Sequence, residues 1–339
     1  MAAGVTSWGN PSLEGVTDVL NGLGAAERAR VAALRSERRF FWLDASLSDT
    51  GRDAIVEVLG TPEEAVRALP GSGDAYASRT FHADGESVAF TLRCYVDSAA
   101  PAGETAYGLR PLEVRVVVTG DYVLTIHEDR ISLPAALAPD FPEERSKRYV
   151  VYAVLDAMLK TTFDALGEVE LRIEALAAIW ADGSGGSVPR AALRAAGARL
   201  ATMRRWVTGQ QAVFERLAVE IAALPGFDTD EESYFDRLDE QVDRLPAAID
   251  AAADGMGMLL DLQLNERAYL VSVIATIFGP LTFLTGFFGM NFGWMIDHID
   301  SPGAFWLLGV LIPVAAVALS WRLLVRQFLM GDDRKARSR

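Results

Sequence analysis

A chain of 339 residues is long enough for two or three folding units with sizeable cores. Half of it is hydrophobic and its mean hydropathy is +0.17, yet 46 acidic residues stand against 32 basic ones, a formal net charge of −14. That apolar content excludes a disordered chain, and that charge argues against a nucleic-acid binder, whose phosphate contacts need excess Lys and Arg.

The first residues, MAAGVTSWGN, lack the basic region and apolar core of a secretory signal. Residues 1–142 read as a mixed α/β domain. Apolar, β-branched runs at Phe40–Leu43, Ser87–Val96, Leu112–Val118 and Tyr122–His127 predict strands, and Gly120-Asp121 predicts a tight hairpin between the last two. Thr61-Pro62-Glu63-Glu64 combines an N-cap residue, Pro at the first helical position and a following Glu, which predicts a helix start. Residues 143–267 change character and read as a helical stalk. One helix is expected over 143–181, ending at the Gly/Ser-rich residues 183–187. A second is expected over 189–224, ending at Pro225-Gly226. A third begins near Asp230 and runs on toward the C-terminal third, with Pro246, Gly255 and Gly257 as its few breakers.

Residues 268–330 read as two membrane spans. From Ala268 to Ile296 no residue is charged, and Leu270–Met290 is nearly all apolar, about the 20 residues a helix needs to cross the hydrocarbon core. A second apolar run, Phe305 to Leu324, carries only Arg322. The loop between, residues 291–304, is acidic and has no Lys or Arg, whereas the tail at 331–339 is basic. The positive-inside rule therefore places both termini in the cytoplasm and the loop outside, with Trp294, Trp306 and Trp321 near the interfaces. Four acids and six bases lie after residue 267, leaving 42 and 26 before it, so a balance of −16 sits on the cytoplasmic part.

Stepping alternately by three and four through the first span meets Asn265, Ala268, Ser272, Ala275, Gly279, Thr282, Gly286 and Gly289, all small or polar. Two readings fit this stripe: close helix packing and a pore wall. Traced backwards, the same stripe meets Asp261, Met258, Asp254, Asp250, Ala247 and Asp243. Around an axis of several copies these aspartates become rings that attract cations, which makes Asp250, Asp254 and Asp261 candidate metal residues. Cys94 alone excludes an internal disulfide and reads as a small buried hydrophobe. His82, His127 and His298 are scattered, and no nucleophile–base set, nucleotide loop or closed metal motif is present, so neither an enzyme nor a resident cofactor is expected.

The first span ends in Phe287-Phe288-Gly289-Met290-Asn291-Phe292. A Gly-Met-Asn triplet at the outer end of the first of two C-terminal spans resembles the signature of the CorA divalent-cation transporter superfamily. The run Ala275–Gly286 is similar to that family too. The resemblance implies an α+β cytoplasmic domain, a long helical stalk and two transmembrane helices, assembled as a funnel-shaped homopentamer in the cytoplasmic membrane. It implies divalent-cation transport, a selectivity mouth at Gly289, Met290 and Asn291, and a pore lined by Asn265, Ser272, Gly279, Thr282 and Gly286. The expected partners are the bilayer, Mg²⁺ or Zn²⁺ (with Co²⁺ and Ni²⁺ in the magnesium branch) and four further copies of the chain.

Two departures bear on the cation. The outer loop lacks the Met-Pro-Glu-Leu type sequence of magnesium members and carries Asp297, His298 and Asp300, residues that attract cations and include a donor suited to Zn²⁺. Asn265–Leu270 and Phe283–Gly289 resemble the zinc-transporting ZntB branch, so a proton-coupled zinc transporter is the alternative. A membrane-anchored sensor or adaptor is the further one, although an anchor has no need of the stripe.

Overall fold

Antiparallel pairing of the three longest β-branched runs builds half of a six-stranded sheet, and short parallel strands build the rest. The computed structural model describes residues 18–61, 66, 81–98, 107–139, 146–181, 189–227, 234–290 and 301–322. Strands β1 (Asp18–Asn21), β2 (Phe41–Ser46), β3 (Phe81–Ala83), β4 (Ser87–Asp97), β5 (Leu109–Thr119) and β6 (Tyr122–His127) lie in the order β1-β2-β6-β5-β4-β3. β1, β2 and β6 are parallel; β6, β5, β4 and β3 are antiparallel neighbours.

The hairpin at Gly120-Asp121 is present, with Val118 opposite Val123. A Cβ on Gly120 would stand 2.7 Å from the Pro225 carbonyl oxygen, so this close backbone approach requires glycine. The β3–β4 turn is held by Asp84, whose carboxylate accepts from the Glu86 and Ser87 N–H groups at 2.9 and 2.7 Å. Burial pushes the Asp84 carboxyl up, but the hydrogen bonds from Ser87 and Glu86 outweigh it and hold the group below its ordinary value.

Parallel neighbours need a crossover, and helix α1 (Ala25–Ser36) supplies it between β1 and β2. With α2 (Arg52–Leu59) it covers one sheet face, where Val31, Leu34, Ile55 and Leu59 pack with Phe41, Leu43, Ala45, Leu124 and Ile126. All six residues of β2 and of β6 are buried, as strands covered on both faces must be. Cys94 is among the buried residues, and desolvation pushes its thiol up to about 12, consistent with a packing role. The helix start expected at residues 61–64 falls mostly outside the described residues. Thr61 itself shares a hydrogen bond of 2.7 Å with the Tyr122 hydroxyl.

After the short α3 (Leu133–Leu137), capped by the Ser132 hydroxyl, come three long helices: α4 (Lys147–Ala181), α5 (Arg190–Ala222) and α6 (Tyr234–Phe288). α4 lies along β4, where its Thr161 hydroxyl accepts from the Tyr95 N–H at 2.8 Å. α6 continues through Pro246 without a break and is 55 residues long. Residues 302–322 are helical again and are called α7 here. Its segment Phe305–Leu311 is wound as a π-helix just before Pro313, which lacks the N–H that an ordinary turn would use. The chain divides into two compact units, Met1–Met256 and Gly257–Arg339.

Candidate functional site

The stalk part of α6 is placed by a seven-residue repeat. Phe235, Leu238, Val242, Leu245, Ile249 and Ala252 follow one another at steps of three and four, and all are buried. Their neighbours on α5 run antiparallel. Gln211 donates to Asp243 at 2.9 Å, Arg204 pairs with Asp250, and a Cβ on Gly197 would touch the Met256 methyl at 3.1 Å.

The aspartate stripe lies beside this seam, and every member is exposed. The two nearer its start are spoken for within the chain. Asp243 accepts from Gln211, and Asp250 is neutralised by Arg204, whose Nη1 also reaches the Pro246 carbonyl at 3.3 Å. Asp250 thus has a cationic partner within the chain, a contact set by the antiparallel register and invisible in the local sequence. Asp254 and Asp261 face solvent with no ion pair among the described residues. No cluster of three or more His, Cys, Asp or Glu side chains suited to a metal occurs among the described residues.

Further along, α6 is the one described helix long and apolar enough to cross a membrane, and none of its most apolar stretch is buried among the described residues. Val271 is 66% exposed, Phe278 60% and Phe283 70%. Side chains of this kind in such number need a non-aqueous partner. The described part of α7 that is apolar, Trp306–Arg322, is shorter.

The small-residue stripe stands clear of α7. An apolar groove between the two helices is lined by Leu281 of α6 and by Pro313, Val314, Val317, Ala318 and Trp321. At about 100° per residue, Leu281 lies about 160° around the helix from Gly279 and about 140° from Gly286. The groove with α7 thus lies on the far side of α6 from Gly279 and Gly286, and among the described residues no lining residue of it belongs to the stripe. Ser272, Gly279, Thr282 and Gly286 are all exposed, as is Asn265, and a Cβ added at Gly279 or Gly286 would meet nothing within 4 Å.

The hydroxyls divide the same way. Thr276 and Thr285, off the stripe, donate to carbonyls one turn back: Thr276 to Ser272 at 2.8 Å, Thr285 to Leu281 at 2.9 Å. Ser272 and Thr282, on the stripe, make no side-chain hydrogen bond among the described residues, so their oxygens stay available to an outside partner. The helix closes through Gly289 N–H to Thr285 carbonyl at 2.9 Å and Met290 N–H to Phe287 carbonyl at 3.3 Å. A Cβ on Gly289 would stand 2.9 Å from the Thr285 oxygen. Asn291, Asp297, His298 and Asp300 lie outside the described residues.

Comparison with known proteins gives a family. The model described as CorA-like Mg²⁺ transporter protein matches residues 37–326. The zinc transport protein ZntB of Yersinia pseudotuberculosis is 30% identical over 142 residues, 40% of this chain and 42% of that protein. ZntB of Cronobacter sakazakii is 34% identical over 136 residues, 39% of this chain and 40% of the relative. The matches thus span about two-fifths of the length of these curated relatives. Among solved structures, the full-length CmaX protein superposes with a TM-score of 0.54 at 21% identity, covering 84% of this chain and 87% of that one. The ZntB cytoplasmic domain of Vibrio parahaemolyticus gives 0.50 at 13% identity, covering 67% and 88%. These likenesses support the fold.

Proposed function

Because the chain belongs to the family of CorA-like Mg²⁺ transporter proteins, we propose that it carries divalent cations across the cytoplasmic membrane through the centre of a homopentamer. The observation that carries this reading is the uncovered stripe of α6, whose hydroxyls are unspent while those beside it are bonded to the helix. Residues 268–288 give about 31 Å of helix at 1.5 Å per residue, enough for the hydrocarbon core. An exact seven-residue repeat drifts about 20° per heptad, so positions 265, 272, 279 and 286 turn by about 60° in all. A tilted helix keeps such a stripe toward one axis, and five copies then enclose a lumen of hydroxyls, amides and glycines.

No charged residue lies between Ala268 and Ile296, so nothing in this lumen strips the ion of its water. Hydroxyl oxygens at Ser272 and Thr282 and the amide of Asn265 accept from the hydration shell instead. At the outer end, Gly289, Met290 and Asn291 form the mouth, where helix-terminal carbonyls carry partial negative charge and the Asn291 amide oxygen meets the hydrated ion. Asp254 and Asp261 draw cations at the inner end, and Asp297, His298 and Asp300 at the outer. The membrane potential drives entry with about 4.6 kcal/mol for two charges at 100 mV.

Zn²⁺ is the favoured cargo over Mg²⁺, supported by the relatives named as zinc transport proteins and by the imidazole of His298 in the outer loop. Uptake of Zn²⁺ and Mg²⁺ into liposomes containing the purified protein tests both points. Zinc flux exceeding magnesium flux is expected; magnesium flux with no zinc flux would overturn the cargo assignment, and no divalent flux at all would overturn transport.

A further inference from the structure

The parallel half of the sheet opens at its carboxyl edge into a cavity of about 420 Å³ that the transport reading leaves unused. It is bounded by the β1–α1 turn at Gly22 and Gly24, by Arg28, and by Asp44, Ser46 and Asp49. Open α/β sheets hold ligands at this edge, where strands end and helices begin.

α1 and α2 both start at the cavity wall, on Gly24 and Gly51, and neither has a side-chain cap. Their first N–H groups have no partner within the helix. At α1 the end is already shared, because a Cβ on Gly24 would lie 2.5 Å from the Glu27 carboxylate. At α2 the approach is open, and a Cβ on Gly51 would meet nothing within 4 Å.

Two side chains add to this. Arg28 uses Nε to hold the Leu23 carbonyl at 3.0 Å, and its two terminal nitrogens make no bond among the described residues. Ser46 is only 8% exposed, lines the cavity, and has a buried hydroxyl with no partner among the described residues. A buried hydroxyl without a partner is costly unless something comes to it.

The carboxylates present are committed elsewhere. Asp44 accepts from the Thr125 hydroxyl at 2.6 Å, from the Leu133 N–H at 2.9 Å and from the His127 ring at 3.3 Å. Asp49 pairs with Arg130 at 3.2 Å. The uncommitted groups of the lining that can donate are thus the Arg28 terminal nitrogens and the Ser46 hydroxyl, and beside a helix N-terminus these favour an oxyanion, although Asp53 stands in the first turn of α2. A space of this size exceeds one phosphate and is that of a small-molecule site.

We propose that this cavity binds a nucleoside phosphate, with phosphoryl oxygens held by Arg28, the Ser46 hydroxyl and the N–H groups that open α2. Isothermal titration of the full chain in detergent, with a chelator present, tests it with ADP, inorganic phosphate and adenosine in separate arms. ADP should bind, phosphate at least tenfold more weakly, and adenosine not at all. Arg28→Gln should weaken ADP about tenfold. Ser46→Ala should weaken it about threefold without lowering the ligand-free melting temperature, since that hydroxyl makes no bond among the described residues. Absence of ADP binding, adenosine binding as tight as ADP, or unchanged affinity in both variants would overturn the proposal. Phosphate binding as tight as ADP would reassign the site to the free anion and overturn its nucleoside part.

Discussion

Replacing Thr282 by Val keeps the shape of the side chain and removes the one hydroxyl on the outer half of the stripe. In the structure that hydroxyl makes no bond among the described residues, whereas Thr285, three residues on, gives its proton to the Leu281 carbonyl at 2.9 Å and lies 3.2 Å from the Thr282 carbonyl. A hydrogen bond contributes about 0.5–1.5 kcal/mol net. If each of five copies offers one to the passing hydration shell, the lower figure already sums to about 2.5 kcal/mol, and about 1.4 kcal/mol corresponds to tenfold. Thr282→Val should therefore slow cation flux about 70-fold, and Thr285→Val, whose hydroxyl is occupied, should change it less than threefold. Initial rates of zinc uptake into liposomes, normalised to protein content, read both. Equal rates for the two variants would refute the assignment of the stripe as the lumen wall.

Other expectations follow from particular contacts. Gly120→Ala places a Cβ 2.7 Å from the Pro225 carbonyl oxygen and should cost about 1–3 kcal/mol, seen as a lower denaturant midpoint. Asp250→Asn breaks the exposed pair with Arg204 and should cost at most about 1 kcal/mol, seen as a denaturant midpoint close to that of the unaltered chain. Asp254→Asn should weaken divalent-cation binding, read by isothermal titration of Zn²⁺ into the full chain in detergent. Asp239 is pushed above its ordinary 3.8 by desolvation first and then by Asp243, Glu215 and Asp236. An acid with a raised native pKa binds its proton more tightly when folded, so its contribution to stability falls as pH rises from 3.8 through the raised value. Asp239→Asn should accordingly raise the melting temperature at pH 7 and flatten its dependence on pH across that acid window.

Much of the architecture is legible because its signals are local. The strands at 87–97, 109–119 and 122–127 contain apolar stretches rich in β-branched residues, and the long helices end where Gly, Ser or Pro cluster. β1 and β3 are missed because they are four and three residues long and owe their pairing to neighbours rather than to composition. The α1 and α2 pair is missed although Val31, Leu34, Ile55 and Leu59 are spaced as helix faces. On α6 the apolar repeat of Phe235, Leu238, Val242, Leu245 and Ile249 lies in the sequence at alternating steps of three and four, one position away from several of the aspartates. The pairing of Asp250 with Arg204, 46 positions away in sequence, is not legible at all, since it depends on how two helices align. The bonded state of Thr276 and Thr285 likewise depends on rotamers that sequence does not specify.

The central claim is that the α6 stripe conducts divalent cations through to the mouth at Gly289, Met290 and Asn291. The most direct measurement is zinc uptake into liposomes at an imposed inside-negative potential, comparing the unaltered chain with Asn291→Ala. The unaltered protein should take up zinc in proportion to the potential, and Asn291→Ala should lose that uptake or its preference for zinc over magnesium while still assembling as a pentamer. Equal, equally selective uptake by the two proteins, or none by the unaltered chain, would contradict the account.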